Sequence, residues 1–177
     1  MSADATPSSG PADSAAETAV LAGPAASAVS DVPPGFRRFR AGSGFIAVNG
    51  PLYFLHEGAK FRLGFRVEAR HCNPMGICHG GMLATFADML LPMGTVMQVK
   101  ELHDRFLPTV SLQVDYIGPA RLGDWVDGEM QVLRTTRAMV FAQGLVKSGG
   151  AIALRCSGVF KIGPVIDREA LAAAGRI

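Results

Sequence analysis

The sequence predicts an α+β domain in which a curled antiparallel sheet encloses one long helix. Two observations carry this. The stretch His79–Val99 places Met82, Leu83, Phe86, Met89, Leu90, Met93 and Met97 at helical intervals. By contrast, Thr109–Ile117, Trp125–Arg134, Ala138–Lys147 and Ile152–Ile162 alternate with period two. Between them lie Gly118-Pro119, Gly123-Asp124, Thr135-Thr136 and Gly149-Gly150. Connections of hairpin length make neighbouring strands antiparallel, so four strands in a meander are expected. Strands, one helix, then strands, without βαβ alternation, is an α+β order.

The helix is apolar nearly all round, because Ala84, Ala87, Leu91 and Val96 fill the remaining faces. Such a helix is enclosed rather than laid on a surface. A transmembrane reading is disfavoured by Asp88 near its middle and by the strands, which need the helix as their core. Pro92 and Gly94 predict a kink or an early end. Upstream, Phe61–Glu68 reads as a strand with Phe61, Leu63, Phe65 and Val67 on one face, followed by an irregular stretch, Ala69–Cys78. Phe45–Val48 and Leu52–Leu55 flank the turn signal Asn49-Gly50-Pro51. Asp167–Ile177 is expected to be a short helix or a frayed end.

The two ends of the chain differ in charge. Residues 1–34 contain no Lys or Arg and carry Asp4, Asp13, Glu17 and Asp31, a local charge of −4. The chain of 177 residues is +2 overall, so residues 35–177 carry 17 − 11 = +6. Residues 1–34, rich in Ala, Ser and Pro, are expected to be a disordered tail, since they cannot bury enough apolar area to offset ordering. They lack the basic n-region of a secretory signal and the Arg of a transit peptide. Pro33-Pro34-Gly35 marks the start of a single domain over 35–177, too short for two enzymatic domains. Three Cys form no closed disulfide framework, which argues for a reducing, cytoplasmic setting. A diffuse +6 does not imply nucleic acid, but it suits an anionic small molecule.

Asp88 is the one formally charged side chain between His79 and Val99. Burying a lone carboxylate costs several kcal/mol unless it is bonded or paired. Its helical neighbours Gly81, Ala84, Thr85, Pro92 and Thr95 form a small, polar stripe that could line a cleft, or Asp88 could be a satisfied structural residue. Gly80-Gly81 opens the helix, where free N–H groups and the helix dipole favour developing negative charge; a tight junction needing glycine is the plainer account. His71, Cys72, Cys78 and His79 tempt a zinc reading, but the Cys spacing is wrong for it, and buried Cys as small hydrophobes is the better account. Arg37-Arg38-Phe39-Arg40 reads as a solvated entry. Arg134 and Arg137 flank a turn and could hold a phosphate or simply be exposed.

Two segments together resemble one family. His71-x-Asn73-x-x-Gly76-x-x-His79-Gly80-Gly81 followed by Asp88 resembles the hotdog-fold acyl-CoA thioesterases, most closely the phenylacetate-pathway group. Tyr116-Ile117-Gly118-Pro119-Ala120-Arg121-Leu122-Gly123-Asp124 is similar to a second segment of that group. The resemblance spans about residues 40–162. It implies a hotdog fold, homodimers or homotetramers with no cofactor or metal, and an acyl-CoA substrate bound at a site shared by two chains. Asn73, His79 and Gly80 would come from one chain and Asp88 from its partner, with Gly81 among the substrate-binding residues. The family's Ser/Thr position after the helix falls on Thr109, with Ser111 nearby, and a basic position near the coenzyme A phosphates falls on Arg137. Pro92 departs from an unbroken helix, and the N-terminal tail has no counterpart.

In that reading Asp88 is general base or nucleophile, the Gly80 N–H polarises the thioester carbonyl, Asn73 orients water or carbonyl, and His79 holds the loop. Two rivals are an enoyl-thioester hydratase or dehydratase on the same fold, which needs a catalytic His elsewhere, and a non-catalytic acyl-CoA-binding module, which needs a reader. Neither nucleic acid nor membrane is expected as a partner.

Overall fold

The chain is known from a computed structural model that describes residues 32–40 and 43–174. The expectation of a disordered tail over 1–34 falls, up to residue 31, outside the described residues. Elements run β1 (Arg37–Arg38), α1 (Phe45–Asn49), β2 (Tyr53–Glu57), β3 (Lys60–Arg66), α2 (Gly80–Gln98), β4 (Thr109–Tyr116), β5 (Trp125–Thr135), β6 (Met139–Ser148), β7 (Ala151–Lys161) and α3 (Arg168–Ala173). Short 3₁₀ turns occupy Ala69–His71 and Lys100–Leu102.

The strands make one seven-stranded sheet in the order β1-β2-β3-β5-β6-β7-β4, antiparallel throughout. Alternation explains which face is covered. Phe61, Leu63, Phe65 and Val67 on β3 and just after it, and Val126, Val140, Ala142, Val146, Leu154 and Phe160 on the later strands, are all buried. They meet Phe86, Ala87, Leu90 and Leu91 of α2, none of which reaches solvent. Each fully buried Leu or Phe contributes about 1.5–3 kcal/mol relative to exposure, which is what fixes the strands' phase. Gly128 on β5 lets the helix lie close, since a Cβ there would stand 2.5 Å from Leu90 Cδ2.

Two expectations are corrected. The four later strands are not a meander: β5, β6 and β7 are, but β4 pairs with β7 at the sheet edge rather than with β5. Residues 117–124 therefore cross three strand spacings, about 14 Å, which eight residues span without strain. The helix does not end at Pro92 but runs for 19 residues to Gln98. Pro92 removes a single i→i−4 bond, and the fully buried Leu90, Leu91 and Thr95 on either side hold the segment in place. Phe45–Val48 is the body of a short helix, α1, whose Phe45 and Val48 are exposed. At the domain entry, Arg37 and Arg38 extend the sheet as a two-residue edge strand, and the Arg37 guanidinium lies over the Phe54 ring.

Among the described residues α2 is the one helix long and apolar enough to cross a membrane. Here it is the core helix, touching β3, β4, β5, β6 and β7. Its Met89, Met93, Val96 and Met97 are half-buried, so one apolar flank stays open along a single chain.

Candidate active site

The loop before α2 is built by its own side chains. Glu68 and His71 cap the 3₁₀ turn, the Glu68 N–H donating to His71 Nδ1 at 3.0 Å. His71 is buried, and burial pushes its pKa below the ordinary 6.5, with the Arg70 guanidinium adding to the effect. Cys72 and Cys78 face each other across an antiparallel bridge, flanked by Asn73 N–H to Ile77 carbonyl at 2.9 Å and His79 N–H to His71 carbonyl at 2.7 Å. Asn73 Oδ1 accepts from the N–H of Met75 and Ile77, closing the turn. Its side-chain NH₂ is left to donate elsewhere.

The second motif segment braces this loop. Ala120 carbonyl accepts from Cys78 N–H at 2.7 Å, Ile77 bridges to Arg121, and Leu122 N–H donates to Gly76 carbonyl. Asp124 secures the brace by accepting from Arg121 N–H and the Ser148 hydroxyl, both at 2.8 Å. The two segments that carry the family resemblance are thus one physical unit.

At the start of α2, the His79 ring accepts from Gly81 N–H at 2.9 Å, and the His79 carbonyl accepts from Met82 and Leu83. His79 N–H is already committed to His71. Of the first-turn donors, only the Gly80 N–H has no acceptor among the described residues. The helix dipole gives that spot partial positive charge. The Gly80 carbonyl accepts from the Tyr116 hydroxyl at 2.9 Å.

Two turns on, half-buried Asp88 accepts through Oδ1 from the Thr109 hydroxyl at 2.7 Å. The polar stripe around Asp88 is less open than its residue types imply. Thr85 and Thr95 turn their hydroxyls back onto the carbonyls of Gly81 and Leu91, and Thr95 is fully buried. Gly80 and Asp88 stand eight residues apart on one helix, about 12 Å along its axis.

The structure therefore places the sequence-derived residues in three groups: Asn73, His79, Gly80 and Gly81 at the helix start; Asp88 with Thr109; and Arg137, exposed in the β5–β6 hairpin. That hairpin lies at the Thr109 end of the sheet, as the row Thr109–Phe160–Val140–Thr135 shows, but in the strands beyond β7. Ser111 is exposed one residue past a bulge and has no hydrogen bond to Asp88. Tyr116, to which the motif assigns no role, touches Gly80. Its spacing from Thr109 carried no signal for this, because the bulge that sets the phase of β4 leaves no mark in the alternation.

The cysteines fit a structural role. Burial pushes the Cys78 thiol up to about 12 and raises Cys72 as well, the opposite of an activated nucleophile. Among the described residues no three of His, Cys, Asp and Glu converge as a metal site would need.

Residues 75–154 match the thioesterase superfamily, a span that takes in α2, Asp88, Thr109 and the bracing segment. The Pseudomonas aeruginosa protein PA0474, which bears the name of an esterase, is 34% identical over 134 residues, covering 75% of this chain and 98% of its own length. Human acyl-coenzyme A thioesterase 13 is 31% identical over 78 residues, 43% of this chain and 52% of that protein. The fold is that of the phenylacetic acid degradation protein PaaI from Thermus thermophilus, with a TM-score of 0.53 and 21% identity over 63% of this chain and 92% of that one. The family match across α2 and the bracing segment, with a relative 34% identical over 98% of its own length, leads to one conclusion: the chain belongs to the thioesterase superfamily.

Proposed function

We propose that this protein hydrolyses acyl-CoA thioesters to a carboxylic acid and coenzyme A, in sites each shared by two copies of the chain. One observation carries the reading. Gly80 offers an unengaged N–H and Asp88 a held carboxylate, yet about 12 Å of helix separates them within one chain. Both reach one carbonyl only if the second comes from another copy. The open flank of Met89, Met93, Val96 and Met97, together with β4 as a sheet edge, gives that copy a place to pack.

In this arrangement the Gly80 N–H donates to the thioester oxygen as it gains negative charge, an interaction that strengthens in the transition state. Asp88 takes a proton from water as the water oxygen bonds to the carbonyl carbon. The tetrahedral intermediate collapses, the carbon–sulfur bond breaks, and the thiolate leaves. A thiol-like pKa near 8.5 makes it a good leaving group without a strong general acid. Direct attack by Asp88, giving an anhydride that water then cleaves, uses the same atoms. Thr109 holds the carboxylate's orientation, and Asn73 has its NH₂ to orient water or carbonyl. In the same reading Arg137 would meet the coenzyme's phosphates.

The test is a panel of acyl-CoAs of varied chain length and aromaticity, with free thiol measured. Release from at least one member above the Asp88→Asn background is expected. No release from any member would sink the reading.

A further inference from the structure

The hydrolase reading uses the Gly80 N–H without saying what holds it still. Two consecutive glycines are the loosest start a helix can have, because glycine has the most backbone freedom to lose. A donor stabilises an oxyanion well only if it is already in place. The Gly80–Gly81 peptide is held at both ends by side chains from different elements. The His79 ring takes its N–H at 2.9 Å, and the Tyr116 hydroxyl donates to its carbonyl at 2.9 Å. The Tyr116 ring also packs against Gly80, where an added Cβ would lie 3.3 Å from Cε1 and Cζ. Within the helix that carbonyl would face only the N–H of residue 84, so the phenol is an added clamp from the sheet edge.

We propose that Tyr116 is a positioning residue for thioester hydrolysis, fixing the peptide next to the one whose N–H polarises the carbonyl. The proposal rests on the role given to Gly80 above. Tyr116 is 55% exposed and closes an edge strand, so it is not a core residue whose hydroxyl the fold needs. Its contribution is to the placement of a donor, which matters most when charge develops.

Tyr116→Phe keeps the ring and removes the clamp. In the full-length protein kcat should fall about 5- to 20-fold, in the range of one weakened oxyanion donor or less, with KM within about twofold. Amide exchange at Gly81, whose N–H the His79 ring accepts, should accelerate by about tenfold, while the melting temperature shifts by no more than about 2 °C. Tyr116→Leu, lacking ring and hydroxyl, should lose more kcat. If wild type is active and Tyr116→Phe matches its kcat, this proposal alone falls. A raised KM at unchanged kcat would also overturn it, showing substrate contact instead. If wild type cleaves no thioester, the hydrolase reading falls and takes this proposal with it.

Discussion

Thr109 and Tyr116 stand seven residues apart on β4, an odd interval, yet both hydroxyls reach α2: Thr109 bonds Asp88 and Tyr116 bonds Gly80. Strict alternation would put them on opposite faces. The register slips between Thr109 and Ser111, pairing Thr109 with Phe160 and Ser111 with Val159, so Val110 is the extra residue. That bulge turns Thr109 to the helix side while Leu112, Val114 and Tyr116 keep their inward phase. One strand therefore secures both ends of the Gly80–Asp88 span of α2.

Asp88→Asn should reduce thioester cleavage by roughly 10²–10⁴-fold, the usual worth of a positioned base. The amide oxygen can still accept from Thr109, so the melting temperature should stay within about 2 °C. Free-thiol release and a thermal melt check both. A variant turning over near the wild-type rate removes Asp88 from the chemistry.

Thr109→Val keeps the shape of the side chain and deletes its donor. With Oδ1 unheld, kcat should fall about tenfold, the lower end for a hydrogen bond to a charged group at a solvent-facing position. Thr109→Ser should recover most of it. Equal rates for Val and Ser would mean the hydroxyl is not what orients Asp88.

Much of this fold was legible because burial enforces a period. Phe61, Leu63 and Phe65 on a strand, and Phe86, Leu90 and Leu91 on a helix, announce their faces directly. What stayed hidden depends on non-local geometry. A link of residues 117–124 reads as a turn whether it joins neighbours or crosses to β5. The helicity of Phe45–Asn49 is too short to show a pattern. Pro92 argued for a break that the surrounding packing overrides. At the site, Asp88 and the glycine pair stood out by residue type, while the placing of Thr109 and Tyr116 on one face depends on a bulge that composition does not encode.

His71 gives the fold a pH dependence. Burial lowers its folded pKa below the unfolded value near 6.5, so the unfolded chain takes the proton first as pH drops. Its contribution is in place above about pH 6.5 and is lost as pH falls through 6.5 toward the lower folded pKa. Wild type should therefore lose melting temperature between about pH 7 and 5 more steeply than His71→Asn. Parallel curves would detach His71 from that decline.

Gly144→Ala should destabilise by about 1–3 kcal/mol, the range for overpacking a tight interior. A Cβ there would stand 2.8 Å from the Glu129 carbonyl oxygen and 3.2 Å from Cys156 Sγ. Backbone in the neighbouring strand cannot step aside as a side chain can. Chemical denaturation measures this, and an unchanged midpoint would show that β5 and β6 separate more easily than their packing indicates.

The shared-site arrangement has a test that depends on neither fold nor chain length. Asn73 closes the loop beside Gly80, whereas in that arrangement Asp88, about 12 Å along the same helix, would serve the other half-site. Asn73→Ala and Asp88→Asn homo-oligomers should each be nearly inactive, because every site contains one damaged half. Mixed and allowed to exchange, half of the dimers become heterodimers. In each, one site receives both damaged halves and the other receives none. Activity should then return to about a quarter of wild type per total chain, as two-fold symmetry with independent sites requires. Differently sized affinity tags verify the exchange. If exchange is complete and the mixture stays inactive, both residues serve the same chain's site. In that case the 12 Å separation would have to be bridged by a substrate contacting Asp88 and Gly80 at different atoms.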